Sequence, residues 1–295
     1  IFAKRKFKSV CLKLLASQRH LVVLGPTGAG KTTFVKSFVE VCRNVADFVI
    51  IDYYDEYGSL GFPQVLPRVE FGEWVVDLPS MLRPESGGVE MLSAVYSAME
   101  RTRSWREFIE KLERLVVMRK FGRGAEAMLA RLLPLYKRGV LVNGLGSRIP
   151  PSCVVQLDLP EEEKKYACLL FLTWLFARET KWPKKRVVVV EELKAVAPTI
   201  GKIIPVVVPL LNKVRRFNYK LVLVTQSLPE HRETREALLQ QNIVAFNLGV
   251  LSWKYYLEGF PRDIMSLKNH TAVVYIAEEY KWTKIKVPKY PSHLS

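Results

Sequence analysis

Leu21–Thr33 reads LVVLGPTGAGKTT. Within it, Gly25-x-x-x-x-Gly30-Lys31-Thr32 is a complete phosphate-binding loop pattern. Its surroundings agree. Leu21-Val22-Val23-Leu24 is a short apolar run, as expected of a buried parallel strand. From Phe34 to Cys42 the apolar residues Phe34, Val35, Phe38, Val39 and Cys42 fall at helical spacing. A strand, a glycine-rich loop and a helix N-terminus together make an anion site: successive backbone N–H groups point inward and the helix dipole adds positive potential. Gly25, Gly28 and Gly30 let the backbone curl without a Cβ in the way. Gly25, Pro26, Thr27, Gly28, Ala29, Gly30, Lys31, Thr32 and Thr33 are therefore the candidate nucleotide-binding residues. Lys31 is placed to reach the β- and γ-phosphates, and the Thr32 hydroxyl to ligate Mg²⁺. The cofactors expected are ATP and Mg²⁺.

Outward from the loop, strand-like runs alternate with helical ones. Asp47–Asp52 reads as a second buried strand, followed by the acidic, aromatic turn Tyr53-Tyr54-Asp55-Glu56-Tyr57-Gly58. Phe62–Pro67 is loop-like, and Trp74–Leu78 reads as a short strand. Residues 88–140 change character: Val89–Glu100, Ser104–Arg119 and Gly124–Lys137 form three charged, amphipathic helices and read as a helical insertion. The strand pattern resumes at Cys153–Leu159. A helix opened by Pro160-Glu161-Glu162-Glu163 follows, its acids suited to a helix N-terminus. Arg186–Val190 and Leu221–Thr225 are further strands, with a helix expected over Ile203–Phe217 between them. Glu230–Gln240 reads as a helix, Ile243–Leu248 as a strand, and Ala272–Ala277 with Thr283–Val287 as a hairpin. The strands are continuous apolar runs rather than alternating ones, the pattern of a parallel α/β sheet covered on both faces. One domain over 1–295 is expected, with a tail at 288–295. Before the loop, Ala3–Ser17 is a basic amphipathic helix with Phe7, Val10, Cys11, Leu14 and Leu15 on one face.

Composition narrows the partners. At 49% hydrophobic, the 295 residues can bury a large core. The 45 Lys and Arg against 29 Asp and Glu give a net charge of +16, which points to a polyanion, nucleic acid first and an anionic membrane second. Cys11, Cys42, Cys153 and Cys168 show no C-x-x-C pairing and suit buried thiols in a reducing cytoplasm. No run is long and apolar enough to span a bilayer, so no integral membrane segment is expected.

A phosphate loop implies a nucleotide, and hydrolysis needs carboxylates as well. Val187–Val190 leads into Glu191-Glu192. The first acid is the candidate Mg²⁺ partner and the second the candidate general base. Gln226, leaving the next strand in Thr225-Gln226-Ser227, is a candidate γ-phosphate sensor.

Taken in order, GPTGAGKTT, IIDYYDEYG, VVQLDLPEEEKKYACLLFLTWLFARE, VVVVEELKAVAP and VRRFNYKLVLVTQSLP resemble the HerA/FtsK superfamily of ring-forming DNA-pumping ATPases, the HerA branch most. The D-x-x-x-E-Y of Asp52, Glu56 and Tyr57 is similar to that family's second-strand motif, and Arg215 and Arg216 match its basic residues before the sensor strand. HerA proteins carry an N-terminal β-barrel before the ATPase, whereas here Gly25 leaves no room for one, which fits a minimal motor of genome packaging or plasmid transfer better. The resemblance implies a RecA-like P-loop core and a ring, hexameric by analogy, that moves double-stranded DNA without reading sequence. It also implies that Arg216 or Arg215 reaches a neighbouring subunit's ATP. Lys120, Arg123, Lys137, Arg138 and Lys202 are the candidate DNA-phosphate contacts. Two other readings share the core: a type IV secretion or pilus-type ATPase moving protein, and a non-motor ATP-binding scaffold. The paired Glu191-Glu192 argues against the scaffold, which needs no base.

Overall fold

A computed structural model describes residues 2–81, 88–144, 149–178, 184–193, 211, 218–249 and 252–290. The expected helix over 203–217 lies outside these residues apart from Leu211, as do Lys202, Arg215 and Arg216.

The strands are β1 (Leu21–Leu24), β2 (Ala46–Asp52), β3 (Gln64–Val65), β4 (Val69–Glu70), β5 (Leu141–Val142), β6 (Cys153–Gln156), β7 (Lys185–Val190), β8 (Tyr219–Thr225), β9 (Asn242–Ala245), β10 (Thr271–Ile276) and β11 (Lys281–Lys286). Nine form one sheet in the order β11-β10-β9-β1-β8-β7-β2-β6-β3. It is parallel from β9 to β3, and the β10–β11 hairpin closes one side antiparallel. The α/β class read from the sequence is the class observed.

Both faces of the sheet are buried, which explains the unbroken apolar runs. Val22, Leu24, Val49, Ile51, Val188 and Val190 point into one core. Their alternates, among them Leu21, Val23, Phe48, Ile50, Val187 and Val189, point into the other. The second core is covered by α1 (Phe2–Ala16) and α2 (Lys31–Cys42). The first is covered by α7 (Glu161–Arg178) and by a helical block of α4 (Gly88–Met99), α5 (Trp105–Val117) and α6 (Gly122–Lys137). Among the described residues the remaining α-helices are α3 (Leu78–Met81), α8 (Arg232–Leu239) and α9 (Ser252–Leu257). Ser104 caps α5, its hydroxyl accepting from the Glu107 amide.

The helix α1 is fastened at its C-terminal end by distant residues. Lys185 Nζ donates to Leu15 O, and the buried Lys220 Nζ donates to Ser17 O and Arg19 O. Asn242 and Glu278 hold the Ser17 hydroxyl. Cations there satisfy carbonyls that the helix leaves open.

Two expectations need correction. Trp74–Leu78 is not a strand: Glu73–Asp77 is a 3₁₀ turn leading into α3. The buried residues Trp74, Val75 and Leu78 fall at i, i+1 and i+4, a helical spacing, and the Val75 amide is satisfied locally by Gly72 O. Phe62–Pro67 contains the edge strand β3, and the parallel pair β4–β5 at the base of the helical block has no counterpart in the sequence reading.

Within the block, α4 crosses α6 at Gly124. A Cβ there would lie 2.4 Å from the backbone of Glu90 and Met91. Backbone cannot swing aside as a side chain can. Gly124→Ala is expected to destabilise the fold by about 3 kcal/mol, the upper part of the overpacking range. Chemical denaturation measures it, and an unchanged midpoint would refute the close crossing.

Candidate nucleotide site

The carboxyl ends of β1, β2, β7 and β8 lie side by side in the sheet, where open α/β sheets bind ligands. The phosphate loop leaves β1. Gly28 and Gly30 have φ of 77° and 108°, a left-handed region that strains any residue with a Cβ. At Gly25 a Cβ would meet Phe246 at 2.8 Å, so the loop packs directly on the residue following β9. Gly30 leads into α2, and Phe34 N donates to its carbonyl. Lys31 Nζ donates to Pro26 O across the loop at 3.0 Å. Burial holds the Lys31 ammonium below its ordinary range, while Glu192, Glu56 and Glu191 pull it back up.

Four carboxylates gather beyond Lys31. Asp52 ends β2 and binds two amides of the following turn: Glu56 N donates to Oδ1 at 3.0 Å and Tyr57 N to Oδ2 at 2.8 Å. Asp55 takes the left-handed conformation, φ 57°, that lets the chain reverse there. The turn brings Glu56 onto the loop, where the Thr32 hydroxyl donates to Glu56 Oε2 at 2.7 Å. Glu191, just past β7, is only 6% exposed, and its Oε2 is buried with no hydrogen-bond partner among the described residues. Burial first, then the Glu56 and Asp52 carboxylates, push the Glu191 carboxyl up to about 9. Glu56 moves the other way: against its own burial, hydrogen bonds from Glu191 and Thr32 and the charges of Lys36 and Lys31 hold it below the ordinary value. Glu192 is less buried and accepts from Tyr54 Oη at 3.2 Å.

The sequence-derived candidates thus converge in part. Gly25–Thr33, Glu191 and Glu192 share one edge of the sheet, and Gln226 follows β8 there, exposed. The Thr32 hydroxyl, however, is met by Glu56. Glu56 was legible only as part of the Asp52-x-x-x-Glu56-Tyr57 motif, with no contact attached to it. Lys120, Arg123 and Lys137 are exposed on the helical block, whereas Arg138 is engaged in a 2.7 Å ion pair with Glu163 of α7.

This donor set fits a nucleotide with Mg²⁺. The loop offers a cradle that side chains would fill, one lysine and a threonine hydroxyl, with an unpartnered buried carboxylate oxygen beside them. Among the described residues no helix is long and apolar enough to cross a membrane.

Residues 3–113 match the family model "Helicase HerA, central domain". The resemblance read from the motifs is therefore borne out over the segment that carries the loop and the Asp52 turn. No curated protein sequence matches the chain. Among solved structures, VirB4 of Thermoanaerobacter pseudethanolicus superposes with a TM-score of 0.66 at 15% identity, covering 92% of this chain and 90% of that one. The plasmid coupling protein TrwB in complex with ADP and Mg²⁺ superposes with a TM-score of 0.68 at 14% identity, over 92% of this chain and 85% of that one. TrwB with a non-hydrolysable ATP analogue gives 0.65 at 15%, over 95% and 89%. At these identities the likeness is one of fold, and the fold is that of P-loop nucleotide-binding proteins.

Proposed function

We propose that the protein is an ATP-hydrolysing motor that moves double-stranded DNA and works as a ring of copies of this chain, hexameric by analogy with HerA/FtsK motors. The observation that carries the reading is the convergence of the phosphate loop and the Glu191-Glu192 pair on one edge of the sheet. The HerA match over residues 3–113 and the fold shared with the coupling protein TrwB support it, as does the net charge of +16.

In this reading the Gly25–Thr33 amides and Lys31 bind and orient the triphosphate. Mg²⁺, when bound, neutralises charge on the β- and γ-phosphates, with Thr32 and Glu191 as the residues that hold it. Glu192 takes the proton of the attacking water, and Gln226 orients that water. Arg216, or Arg215 beside it, acts on the neighbouring subunit's nucleotide, which makes hydrolysis depend on assembly. Lys120, Arg123, Lys137 and Lys202 contact DNA phosphates. The described part of the chain suits a motor working in the cytoplasm.

A second reading, a protein-moving ATPase of the secretion type, is favoured by the VirB4 superposition, which scores about as well as TrwB. Turnover measured with duplex DNA, with single-stranded DNA and with none separates the two. Duplex DNA is expected to stimulate hydrolysis. Its affinity is expected to fall about a hundredfold or more between about 50 and about 200 mM salt, with little dependence on sequence, because phosphate contacts dominate. Turnover indifferent to DNA would reject the DNA motor and leave the protein-moving reading. Binding that ignores salt would reject the phosphate contacts.

A further inference from the structure

We infer that Glu56 is a positioning residue for the Thr32 hydroxyl, fixing where its proton points so that its oxygen lone pairs face the metal position. The inference rests on the nucleotide-binding reading of the loop.

A hydroxyl has one proton to donate and two lone pairs to offer. Left free, it rotates, and its proton competes for the direction a cation would occupy. Here the proton is committed: Thr32 Oγ1 donates to Glu56 Oε2 at 2.7 Å, a short, charge-assisted bond. Both lone pairs are thereby turned away from Glu56.

The carboxylate is held there by its own turn. Asp52 grips the Glu56 and Tyr57 amides, and Asp55 supplies the left-handed reversal. Tyr57 is buried, and Lys36, one helical turn beyond Thr32 on α2, lies over its ring at 5.8 Å. The turn and the start of α2 are thus tied at two points, Glu56–Thr32 and Tyr57–Lys36. The Thr32 proton goes to Glu56 and not to Glu191, the acid that the spacing assigns to the metal. Such an arrangement orients a ligand from outside the ligand set, and removing partners of that kind typically costs about 10- to 100-fold in metal affinity.

The test titrates a non-hydrolysable ATP analogue by calorimetry in Mg²⁺ and in EDTA, and reads the ratio of the two affinities. In Glu56→Ala that ratio is expected to fall about tenfold or more, through loss of affinity in Mg²⁺. Glu56→Gln keeps a side-chain oxygen that accepts the Thr32 proton and is expected to retain most of the ratio. In a Thr32→Val background, adding Glu56→Ala is expected to change nothing further. That comparison keeps the test decisive if Glu56→Ala alone lowers the melting temperature.

A ratio unchanged in Glu56→Ala would overturn the inference. So would Glu56→Gln falling as far as Glu56→Ala, because the charge and not the acceptor would then be the working property. A further loss in the Thr32→Val background would show that Glu56 acts elsewhere. Wild-type protein that gains nothing from Mg²⁺ would sink the metal reading of the loop itself, an outcome distinct from a wild-type gain that survives Glu56→Ala.

Discussion

Lys31→Ala is expected to weaken ATP binding by about a hundredfold or more, in the range set by truncating one partner of a desolvated charge pair, about 2–5 kcal/mol. Two features make the effect large. The ammonium is part-buried and donates to Pro26 O, so it organises the loop as well as meeting phosphate. It also faces Glu56, Glu191 and Glu192, whose combined field repels a triphosphate once the cation is gone. Calorimetry with the non-hydrolysable analogue measures the loss, and an affinity equal to wild type would refute the assignment of the loop. Because Lys31 is only part-buried, the substitution should leave the fold standing, which a thermal melt checks.

Glu192→Gln separates binding from chemistry. The substitution preserves size and the acceptor that Tyr54 Oη meets, but removes the base. Turnover is expected to fall about a hundredfold or more while ATP affinity stays near wild type. The structure gives a reason to place the base here and not at Glu191. Glu192 is the less buried of the two and accepts from Tyr54 Oη, whereas Glu191 is only 6% exposed. Single-turnover hydrolysis measures the chemical step directly. If Glu191→Gln keeps affinity and loses turnover while Glu192→Gln retains it, the two roles are reversed.

What the sequence made legible was local. The phosphate loop is a pattern of consecutive residues between a strand and a helix, and its glycines carry their own conformational explanation. The strands were readable because a sheet buried on both faces needs unbroken apolar runs, as Val187–Val190 shows. Trp74–Leu78 defeated the same logic. Its composition suits a strand, but the decisive quantity is the i, i+4 spacing of the residues that become buried. Contacts set by strand order were beyond reach. Glu56 meets Thr32 because β2 reaches the same sheet edge as β1 although β7 and β8 lie between them, and nothing in the stretch between the two residues, 24 positions apart, encodes that order. The α4–α6 crossing at Gly124 was hidden for the same reason. A glycine inside a helical pattern reads as a weak point until the opposing backbone is known.

The fastening of α1 bears on the order in which the chain acquires its structure. This helix precedes every strand of the sheet in the chain, and its C-terminal carbonyls are held by Lys185 and Lys220, 170 and more positions later. Asn242 and Glu278, which bind Ser17, lie 225 and 261 positions away. Loop-closure entropy must be met before such contacts give anything back. A 15-residue basic helix without them is marginal in water. A segment that precedes the whole sheet is therefore among the last to be fixed. Until β7 and β8 are in place, its apolar stripe of Phe7, Val10, Cys11, Leu14 and Leu15 lacks the lysines that hold it against the sheet.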